Sequence, residues 1–493
     1  MNVLKIHEKD NVAVALTAAA AGEKITVDGA EIVLCEDIPA GHKVALRTIC
    51  ADENVIKYGF PIGHAKENIE AGRHVHCHNL ASNLSGLLSY EYTPDYTELK
   101  TTVPGTFMGY KRKNGKVGIR NEVWIVPTVG CVNAIAKEIE DRSKALATGS
   151  VEGVFSYAHP YGCSQLGEDH ENTKKALCGL INHPNAGAVL VLCLGCENNT
   201  ADQMKAMLGD YDTERVRFLV CQEVEDEIAE GVKIVSELCD YAAQFEREEC
   251  GADKLIIGLK CGGSDGFSGI TANPLVGSFS DKLISGGGST ILTEVPEMFG
   301  AETILMNRCR TREVFDDCVS LINNFKEYFR RHGEKINENP SPGNKAGGIS
   351  TLEDKSLGCT QKCGAAAVRD VIGYGDPVVT KGLNLLSAPG NDLVASTALA
   401  VSGAHVVLFT TGRGTPFGCP VPTVKISSNT PLAEKKHAWI DFNAGVVCET
   451  GDIEACGSDL FDYVIALASG EIMTKNEQFG MKGISIFKDG VTL

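Results

Sequence analysis

Three histidines alternate with other residues in the segment His74-Val75-His76-Cys77-His78-Asn79. Side chains two residues apart on a β-strand project to the same face, so two of the imidazoles can share a metal ion. Imidazole suits iron, manganese or zinc, whereas a hard cation favours carboxylates. The segment therefore predicts a metal site with His76 and His78 as ligands and His74 beside them. A polar strand edge facing solvent is the alternative.

Four cysteines lie in the turns that come after apolar runs with the length of buried strands. In an open parallel sheet, ligands bind at the carboxyl ends of the strands, so the four thiols could converge on one pocket. Thiolates hold iron–sulfur clusters or contribute one ligand to iron. The alternative is that cysteine packs well where a strand turns tightly. These cysteines are Cys131, Cys163, Cys196 and Cys261.

Glycine-rich turns with hydrogen-bond donors occur at residues 260–269, 388–392 and 410–416. Glycine lets successive backbone N–H groups close around a carboxylate or phosphate, and Arg413 adds a bidentate clamp. None of these turns matches a phosphate-loop or dinucleotide fingerprint, which disfavours a nucleotide ligand. Simple tight turns are the alternative. The predicted substrate-binding residues are Ser264, Asp265, Asn344, Asn391 and Arg413.

The elements that must position these residues change in character along the chain. Residues 1–92 alternate short Val/Ile-rich runs with glycine turns, which predicts a small all-β module, and residues 93–105 form a linker. Further on, continuous apolar runs, most of them followed by amphipathic stretches, indicate βα units with strands covered on both faces. We therefore predict a multidomain α/β protein with a largely parallel catalytic region, divided into domains at 106–245 and 246–493.

Composition narrows the functional classes. The 493 residues are 43% apolar and 22% charged, which is ordinary for a globular protein of two or three domains. A net charge of -18 argues against nucleic acid and anionic membrane as partners. The charged first residues lack the apolar core of a signal peptide, and nineteen cysteines without such a signal indicate reduced thiols. We expect a cytoplasmic protein with a small-molecule substrate, in an oligomeric state that the sequence leaves open, a homo-oligomer included.

Seven uncommon strings, in one order along nearly the whole chain, resemble the altronate/galactarate dehydratase family. The resemblance implies a SAF-type, β-clip-like N-terminal module and a Rossmann-like catalytic region. It also implies dehydration of D-altronate to 2-dehydro-3-deoxy-D-gluconate in hexuronate catabolism, with ferrous iron or manganese. The strings are HCHN at 76–79, YGCSQ at 161–165, LGCENN at 194–199, CGGSDG at 261–266, EVPE at 294–297, NPSPGNK at 339–345 and TGRGTP at 411–416.

Two alternatives to this implied activity stay open. Galactarate or another sugar acid is the alternative substrate, because one or two loop contacts can decide the stereochemistry. The alternative class is a sugar-acid-binding or sensing protein without turnover. Incubation with the sugar acid and a divalent metal separates an enzyme from a sensor.

Dehydration across C2 and C3 of an aldonic acid requires a base for the proton beside the carboxylate and an exit for a hydroxyl. A metal bound to the carboxylate and the neighbouring hydroxyl stabilises the enediolate as a Lewis acid. We predict that Lys362 or His159 transfers the proton and that Arg413 or Lys345 holds the carboxylate, with Lys345 also available as a base. An iron–sulfur cluster on the strand-end cysteines is the alternative Lewis acid.

Overall fold

The computed structural model describes residues 3–490, and its first part is a module of short strands. These strands are β1 (Val3–Leu4), β2 (Val12–Ala15), β3 (Lys24–Val27), β4 (Ala30–Val33), β5 (Lys43–Ala45), β6 (Asn54–Lys57), β7 (Phe60–Ala65), β8 (His74–Val75) and β9 (Leu80–Ala81). They form antiparallel sheets in the orders β1-β2-β5-β8, β6-β7-β9 and β3-β4. The predicted all-β module is confirmed, and we call it the N-terminal module.

The segment after β9 contains neither helix nor strand up to residue 105. Hydrogen bonds from its tyrosines nevertheless attach it to the third region of the chain, which begins at residue 246. The Tyr90 hydroxyl donates to Glu302 Oε1 at 2.7 Å, and the Tyr92 hydroxyl donates to the Cys309 carbonyl at 2.8 Å. Within the predicted linker itself, the Thr93 hydroxyl donates to Asn307 Oδ1 at 2.9 Å, and the Thr102 N–H donates to the Ser285 carbonyl at 2.9 Å. Residues 93–105 therefore pack against the same part of the protein.

The second region contains a four-stranded parallel sheet in the order β13-β12-β14-β15. Trp124 and Val126 face a core shared with α2 and α3, whereas Val123 and Ile125 face a core shared with α1 and α4. Helices on both faces explain why the central strands are continuously apolar. Its elements are β10 (Thr106–Lys111), β11 (Val117–Gly118), β12 (Glu122–Pro127), α1 (Asn133–Ser143), β13 (Gly153–Ser156), α2 (Gly167–Ile181), β14 (Ala186–Cys193), α3 (Ala201–Leu208), β15 (Val216–Val220) and α4 (Glu227–Ala242).

The third region contains a seven-stranded parallel sheet in the order β19-β20-β18-β17-β21-β22-β23. Its first strand, β16, instead pairs antiparallel with β10 and so joins the second and third regions. Within residues 3–490, no helix is both long and apolar enough to cross a membrane. The elements are β16 (Arg247–Gly251), β17 (Ile256–Cys261), α5 (Ala272–Ser285), β18 (Ser289–Leu292), α6 (Glu302–Asn307), α7 (Arg312–Arg331), α8 (Pro342–Ala346), α9 (Leu352–Cys359), β19 (Val368–Ile372), β20 (Leu383–Leu386), α10 (Asp392–Val401), β21 (Val406–Thr411), β22 (Thr423–Ser427), α11 (Thr430–Lys435), β23 (Phe442–Asn443), α12 (Val447–Thr450), α13 (Ile453–Ala468) and α14 (Lys475–Gln478).

The strand order reverses between β12 and β14 in the second region, and one reversal in the third region lies between β17 and β21. Ligands of open α/β sheets bind outside the carboxyl ends of the strands at such points. Cys131, Cys163 and Cys196 lie beyond β12, β13 and β14, whereas Cys261 ends β17 and Arg413 follows β21. The strand-end residues are therefore divided between two sheet edges.

A buried carboxylate joins the N-terminal module to the third region. Asp354 on α9 accepts hydrogen bonds from Lys43 Nζ at 2.8 Å and Lys57 Nζ at 3.0 Å, and the three side chains are at most 3% exposed. Burial raises the pKa of Asp354, but the charges of the two lysines outweigh burial and hold the pKa below its usual range. The ionised carboxylate thus holds strands β5 and β6 against α9.

We expect Asp354→Asn to loosen the N-terminal module, because the substitution leaves two buried ammonium groups without their carboxylate. Removing one partner from a buried ion pair costs about 3–5 kcal/mol. Urea unfolding, with limited proteolysis to follow release of the module, measures the loss. Glu248→Gln is the control, since it removes an exposed carboxylate 3.0 Å from Lys111. Equal unfolding midpoints for the two variants would contradict the assigned role of Asp354.

Candidate functional site

Three histidines of the N-terminal module meet where it faces the third region. His42 Nδ1 lies 2.9 Å from His74 Nε2. One ligand atom each from His42, His74 and His76 lies within 4.8 Å of the other two. The three converge because β5 and β8 pair antiparallel with Val44 opposite His74, which brings His42, just before β5, beside β8. We call these residues the histidine trio.

The trio differs from the predicted pair of His76 and His78. The strand ends at Val75, and a turn follows in which the Asn79 N–H donates to the His76 carbonyl at 3.0 Å. The alternation of a strand therefore does not extend to His78, whose ring centroid lies 5.6 Å from that of His74. His74 occupies the position beside His76 instead. Sequence spacing gave no signal for His42, because its proximity depends on the pairing of distant strands.

The surroundings of the trio keep its imidazoles neutral. Burial, followed by repulsion from His42 and His76 in their protonated forms, lowers the pKa of His74 to about 3. Burial, followed by the charges of Lys43 and His42, lowers the pKa of His76 to about 4. Burial also lowers the pKa of His42. Neutral imidazole is the form that binds metals, so three close nitrogen donors fit a divalent transition-metal ion.

Two of the predicted residues lie next to the loop of the third region that faces the trio. His76 Nδ1 lies 3.0 Å from Ser350 Oγ. Asn344 and half-buried Lys345 lie just before this loop on the short helix α8, where Asn344 Nδ2 donates to the Ser264 carbonyl at 2.8 Å. Asn344 therefore connects helix α8, which precedes the loop that faces the trio, to the turn beyond β17.

Arg413 joins the same assembly from the turn beyond β21. The Gly412 N–H donates to the Gly263 carbonyl at 3.1 Å. A Cβ atom placed on Gly263 would lie 3.2 Å from the Cβ of Arg413, so the two turns are in contact. The Arg413 side chain is exposed, which leaves its guanidinium accessible to an anion.

Asp265 and Ser264 have different environments although they are adjacent. Asp265 Oδ1 accepts from Ser268 Oγ at 2.9 Å and Ser428 Oγ at 2.8 Å, and Oδ2 accepts from Asn429 Nδ2 at 3.1 Å. Burial raises the pKa of this carboxyl. These bonds make Asp265 a residue that fixes the turn. Ser264 Oγ is buried and has no hydrogen-bond partner among the described residues, so it is available to a ligand.

Lys362 belongs to a buried cluster of charged side chains in the third region. Its side chain is 1% exposed, and Nζ lies 3.5 Å from Glu294 Oε2, whereas Oε1 of the same carboxylate accepts from Lys260. Burial alone lowers the pKa of Lys362, but the Cys261 and Cys359 sulfurs and Glu294 raise it well above its usual value. A buried ammonium that is held by a carboxylate is a poor acceptor for a substrate proton. The geometry therefore favours a structural role for Lys362.

Cys261 belongs to this cluster and is separated from the other three strand-end cysteines. Its Sγ lies 3.0 Å from Glu297 Oε2 and 3.3 Å from Cys359 Sγ, and the three ligand atoms fall within 4.8 Å of one another. Lys355 Nζ lies 2.7 Å from Glu297 Oε1. The carboxylate already has a cationic partner whose charge repels a metal ion, so this trio is a weaker candidate for a metal than the histidines.

His159 and Asn391 make structural contacts. His159 Nε2 bonds the Pro127 carbonyl at 2.8 Å, and Nδ1 accepts from the Tyr161 N–H at 3.2 Å, so the backbone engages both ring nitrogens. Burial lowers the pKa of His159. Asn391 Oδ1 accepts from the Leu393 N–H at 3.1 Å and caps α10. Neither residue is free to act at the histidine trio.

A cavity of about 680 Å³ lies elsewhere, between α2 and α7. Its lining includes four carboxylates, which repel an anionic ligand. The smaller, polar junction beside the histidine trio is therefore the better candidate site for a carboxylate. The four acidic residues of the cavity are Glu168, Asp169, Glu327 and Asp489.

Comparisons with known proteins cover the whole chain. Three domain families match: the altronate/galactarate dehydratase SAF domain at residues 1–83, the D-galactarate dehydratase/altronate hydrolase second domain at 109–243, and the D-galactarate/altronate dehydratase C-terminal domain at 252–492. Altronate dehydratase of Bacillus subtilis (strain 168) is 55% identical over 496 residues, covering 99% of both chains. Altronate dehydratase of Escherichia coli (strain K12) is 52% identical over 100% of both chains. Galactarate dehydratase (L-threo-forming) of the same strain is 33% identical over 97% of this chain and 95% of its own.

We expect the histidine trio to bind a divalent transition-metal ion, and His42→Ala to weaken Mn²⁺ binding as strongly as His76→Ala. Each substitution removes one of three nitrogen donors. Calorimetric titration of metal-free protein with Mn²⁺ measures the loss. His64→Ala is the control, because His64 is a half-buried histidine of the same module that lies outside the trio and bonds Asn83 at 2.7 Å. Unchanged Mn²⁺ affinity in His42→Ala would exclude His42 as a ligand.

Proposed function

The chain belongs to the D-galactarate/altronate dehydratase family, and we propose that it is a hydro-lyase that removes water from altronate. The product is then 2-dehydro-3-deoxy-D-gluconate, in hexuronate catabolism. Full-length similarity to two altronate dehydratases is the observation that carries this proposal. Similarity to the galactarate enzyme is lower, which makes altronate the better-supported substrate.

We propose that the histidine trio holds ferrous iron or manganese. Three neutral imidazoles in mutual contact support this choice of ligands. A metal bound there supplies Lewis-acid stabilisation of the negative charge that develops on the substrate carboxylate and its neighbouring hydroxyl. His78, beside His74, is then a neighbour of the ligands rather than one of them.

The residues of the third region suit recognition of an aldonic acid. Arg413 is accessible for a bidentate bond to the carboxylate. The unpartnered Ser264 hydroxyl and the backbone N–H groups of its turn are donors for substrate oxygens. Asp265 and Asn344 keep that turn in place against the loop that faces the trio.

Lys345 is the best-supported residue for proton transfer. Lys345 is half-buried on helix α8, just before the loop that faces the trio. Lys362 and His159 are buried, and their side-chain nitrogens already bond other groups of the protein. In the proposed step, Lys345 Nζ accepts the C2 proton while the C3–O bond breaks, and the departing hydroxyl takes a proton from solvent and leaves as water. The resulting enol then gains a proton from solvent at C3 and loses the proton of its C2 hydroxyl to solvent, which gives the 2-keto acid.

Three broader features complete the proposal. The two parallel sheets with helices between their strands support a Rossmann-like description of the catalytic region, and the small antiparallel sheets support a β-clip-like N-terminal module. Nineteen unpaired cysteines support a reducing, cytoplasmic setting. The partner is a small sugar acid, and a homo-oligomer is compatible with the architecture.

Incubation of the purified protein with Mn²⁺ or Fe²⁺ and a panel of aldonic and aldaric acids tests the activity. We expect a 2-keto-3-deoxy acid from D-altronate and a kcat/KM for galactarate at least about 100-fold lower, which corresponds to about 3 kcal/mol of discrimination. A preference for galactarate would reassign the substrate. Binding of altronate without product would instead identify a sensing protein.

Arg413 and Lys345 should be distinguishable by kinetics. Arg413→Ala removes a charge-assisted bond of about 1.5–3 kcal/mol, so we expect a rise in KM of about 10- to 100-fold. Lys345→Met removes the proton-transfer group, so we expect kcat to fall by about 100-fold or more. Exposed residues outside the site provide the controls Arg142→Ala and Lys335→Met. A KM effect without a kcat effect in Lys345→Met would argue against proton transfer by this lysine.

A further inference from the structure

Three exposed cysteines lie at one edge of the second region, away from the histidine trio. Cys131 follows β12, Cys163 follows β13 and Cys196 follows β14. These strands are neighbours in the sheet, and the strand order reverses between β12 and β14. The three thiols therefore occupy the position at which open α/β sheets bind ligands. The proposed dehydration chemistry uses none of them.

Backbone hydrogen bonds hold the loops that carry these cysteines together. The Gly130 N–H donates to the Tyr161 carbonyl at 2.9 Å, which joins the loops after β12 and β13. The Asn199 N–H donates to the Gly162 carbonyl at 3.0 Å, which joins the loops after β13 and β14. Gly130 and Gly162 immediately precede Cys131 and Cys163, so the contacts bring the cysteine backbones close together.

The same loops contain buried polar atoms without partners. Gln165 and Asn199 are 3% and 0% exposed. Gln165 Nε2 and Asn199 Oδ1 have no hydrogen-bond partner among the described residues, although the other polar atom of each side chain is bonded within the loops. A buried unsatisfied polar atom costs about 1–3 kcal/mol. Such atoms on two of the three cysteine loops indicate that a bound group belongs beside them.

The three thiols are not close enough together for a single tetrahedral ion. A zinc–sulfur bond of about 2.3 Å places the sulfurs of a tetrahedral site about 3.8 Å apart. The groups of described residues with three ligand atoms within 4.8 Å of one another do not include this set of thiols. An iron–sulfur cluster spans wider gaps, because iron and sulfide atoms lie between the protein thiolates.

Two features of this edge suit the negative charge of a bound cluster. Gln222 Nε2 donates to Cys196 Sγ at 3.4 Å, and hydrogen bonds to sulfur stabilise the thiolates of bound clusters. Helix α1 begins at Asn133, two residues after Cys131, so the positive end of its dipole faces this edge. Both effects compensate the negative charge of a cluster with thiolate ligands.

We propose that Cys131, Cys163 and Cys196 bind a [4Fe–4S] cluster, in which three irons take protein thiolates and the fourth iron takes a non-protein ligand. The exposure of all three cysteines leaves that fourth iron accessible to solvent or to a small oxygen ligand. The site is separate from the histidine trio and from the buried Cys261, and it does not depend on the proposed function.

Anaerobic reconstitution of the full chain with ferrous iron and sulfide tests the proposal. We expect a brown protein that carries about four irons and four acid-labile sulfides per chain. Cys131→Ser, Cys163→Ser and Cys196→Ser should each lower the bound sulfide by at least about half, because three thiolates hold the cluster. Iron and sulfide analysis and the visible absorbance spectrum provide the readout, independently of dehydratase activity.

Cys35→Ser and Cys448→Ser are the matched controls, because both remove an exposed cysteine elsewhere and should leave the sulfide content unchanged. The proposal is overturned if the reconstituted protein takes up no sulfide, if it binds iron alone, or if the three serine variants keep the full sulfide content. Mn²⁺ binding at the histidine trio is measured in parallel. Retained Mn²⁺ binding with no cluster would overturn the cluster alone and leave the proposed dehydratase site intact.

Discussion

The carboxylate of Asp354, shared by Lys43 and Lys57, fixes the geometry of the histidine site. Lys43 directly follows His42, so the ion pair that holds this lysine also holds the first histidine of the trio. Burial lowers the pKa of Lys43, whereas the charge of Asp354 raises the pKa of Lys57 against the effect of burial. The protein tolerates these three buried charges because the carboxylate of Asp354 pairs with both ammonium groups. One interaction thereby aligns the module that carries the histidines with the region that faces them.

Much of the fold follows from local patterns. The alternating Val/Ile runs predict the antiparallel module, and the continuous apolar runs predict buried parallel strands such as β12 and β14. These patterns are local, because a strand buried on one face needs alternating apolar residues and a strand buried on both faces needs a continuous apolar run. Strand order is different, since it depends on pairings between distant segments. The sequence therefore predicted thiols at strand ends, but not that Cys261 belongs to a different sheet from Cys131, Cys163 and Cys196.

The same distinction applies to the candidate site. His76, Ser264, Asn344 and Arg413 lie in distinctive strings, and the structure brings their segments to one junction. His42 was missed because only the pairing of β5 with β8 brings it beside His74. Lys362 and His159 have the chemical type of a proton-transfer group, but a sequence does not reveal that their side-chain nitrogens already have buried partners. Side-chain chemistry was predictable, whereas accessibility was not.

The two sheet edges differ in the ligands that their own loops supply. The turns after β17 and β21 offer a hydroxyl, a guanidinium and backbone N–H groups, which suit a hydroxy acid but give a transition metal no nitrogen donor. The N-terminal module supplies those donors, which explains why a buried ion pair holds it at this edge. The loops after β12, β13 and β14 carry three thiols of their own, so the proposed cluster would need no ligand from the N-terminal module. One topology thus presents two edges with different coordination chemistry, and the docking of the N-terminal module determines which edge receives the histidines.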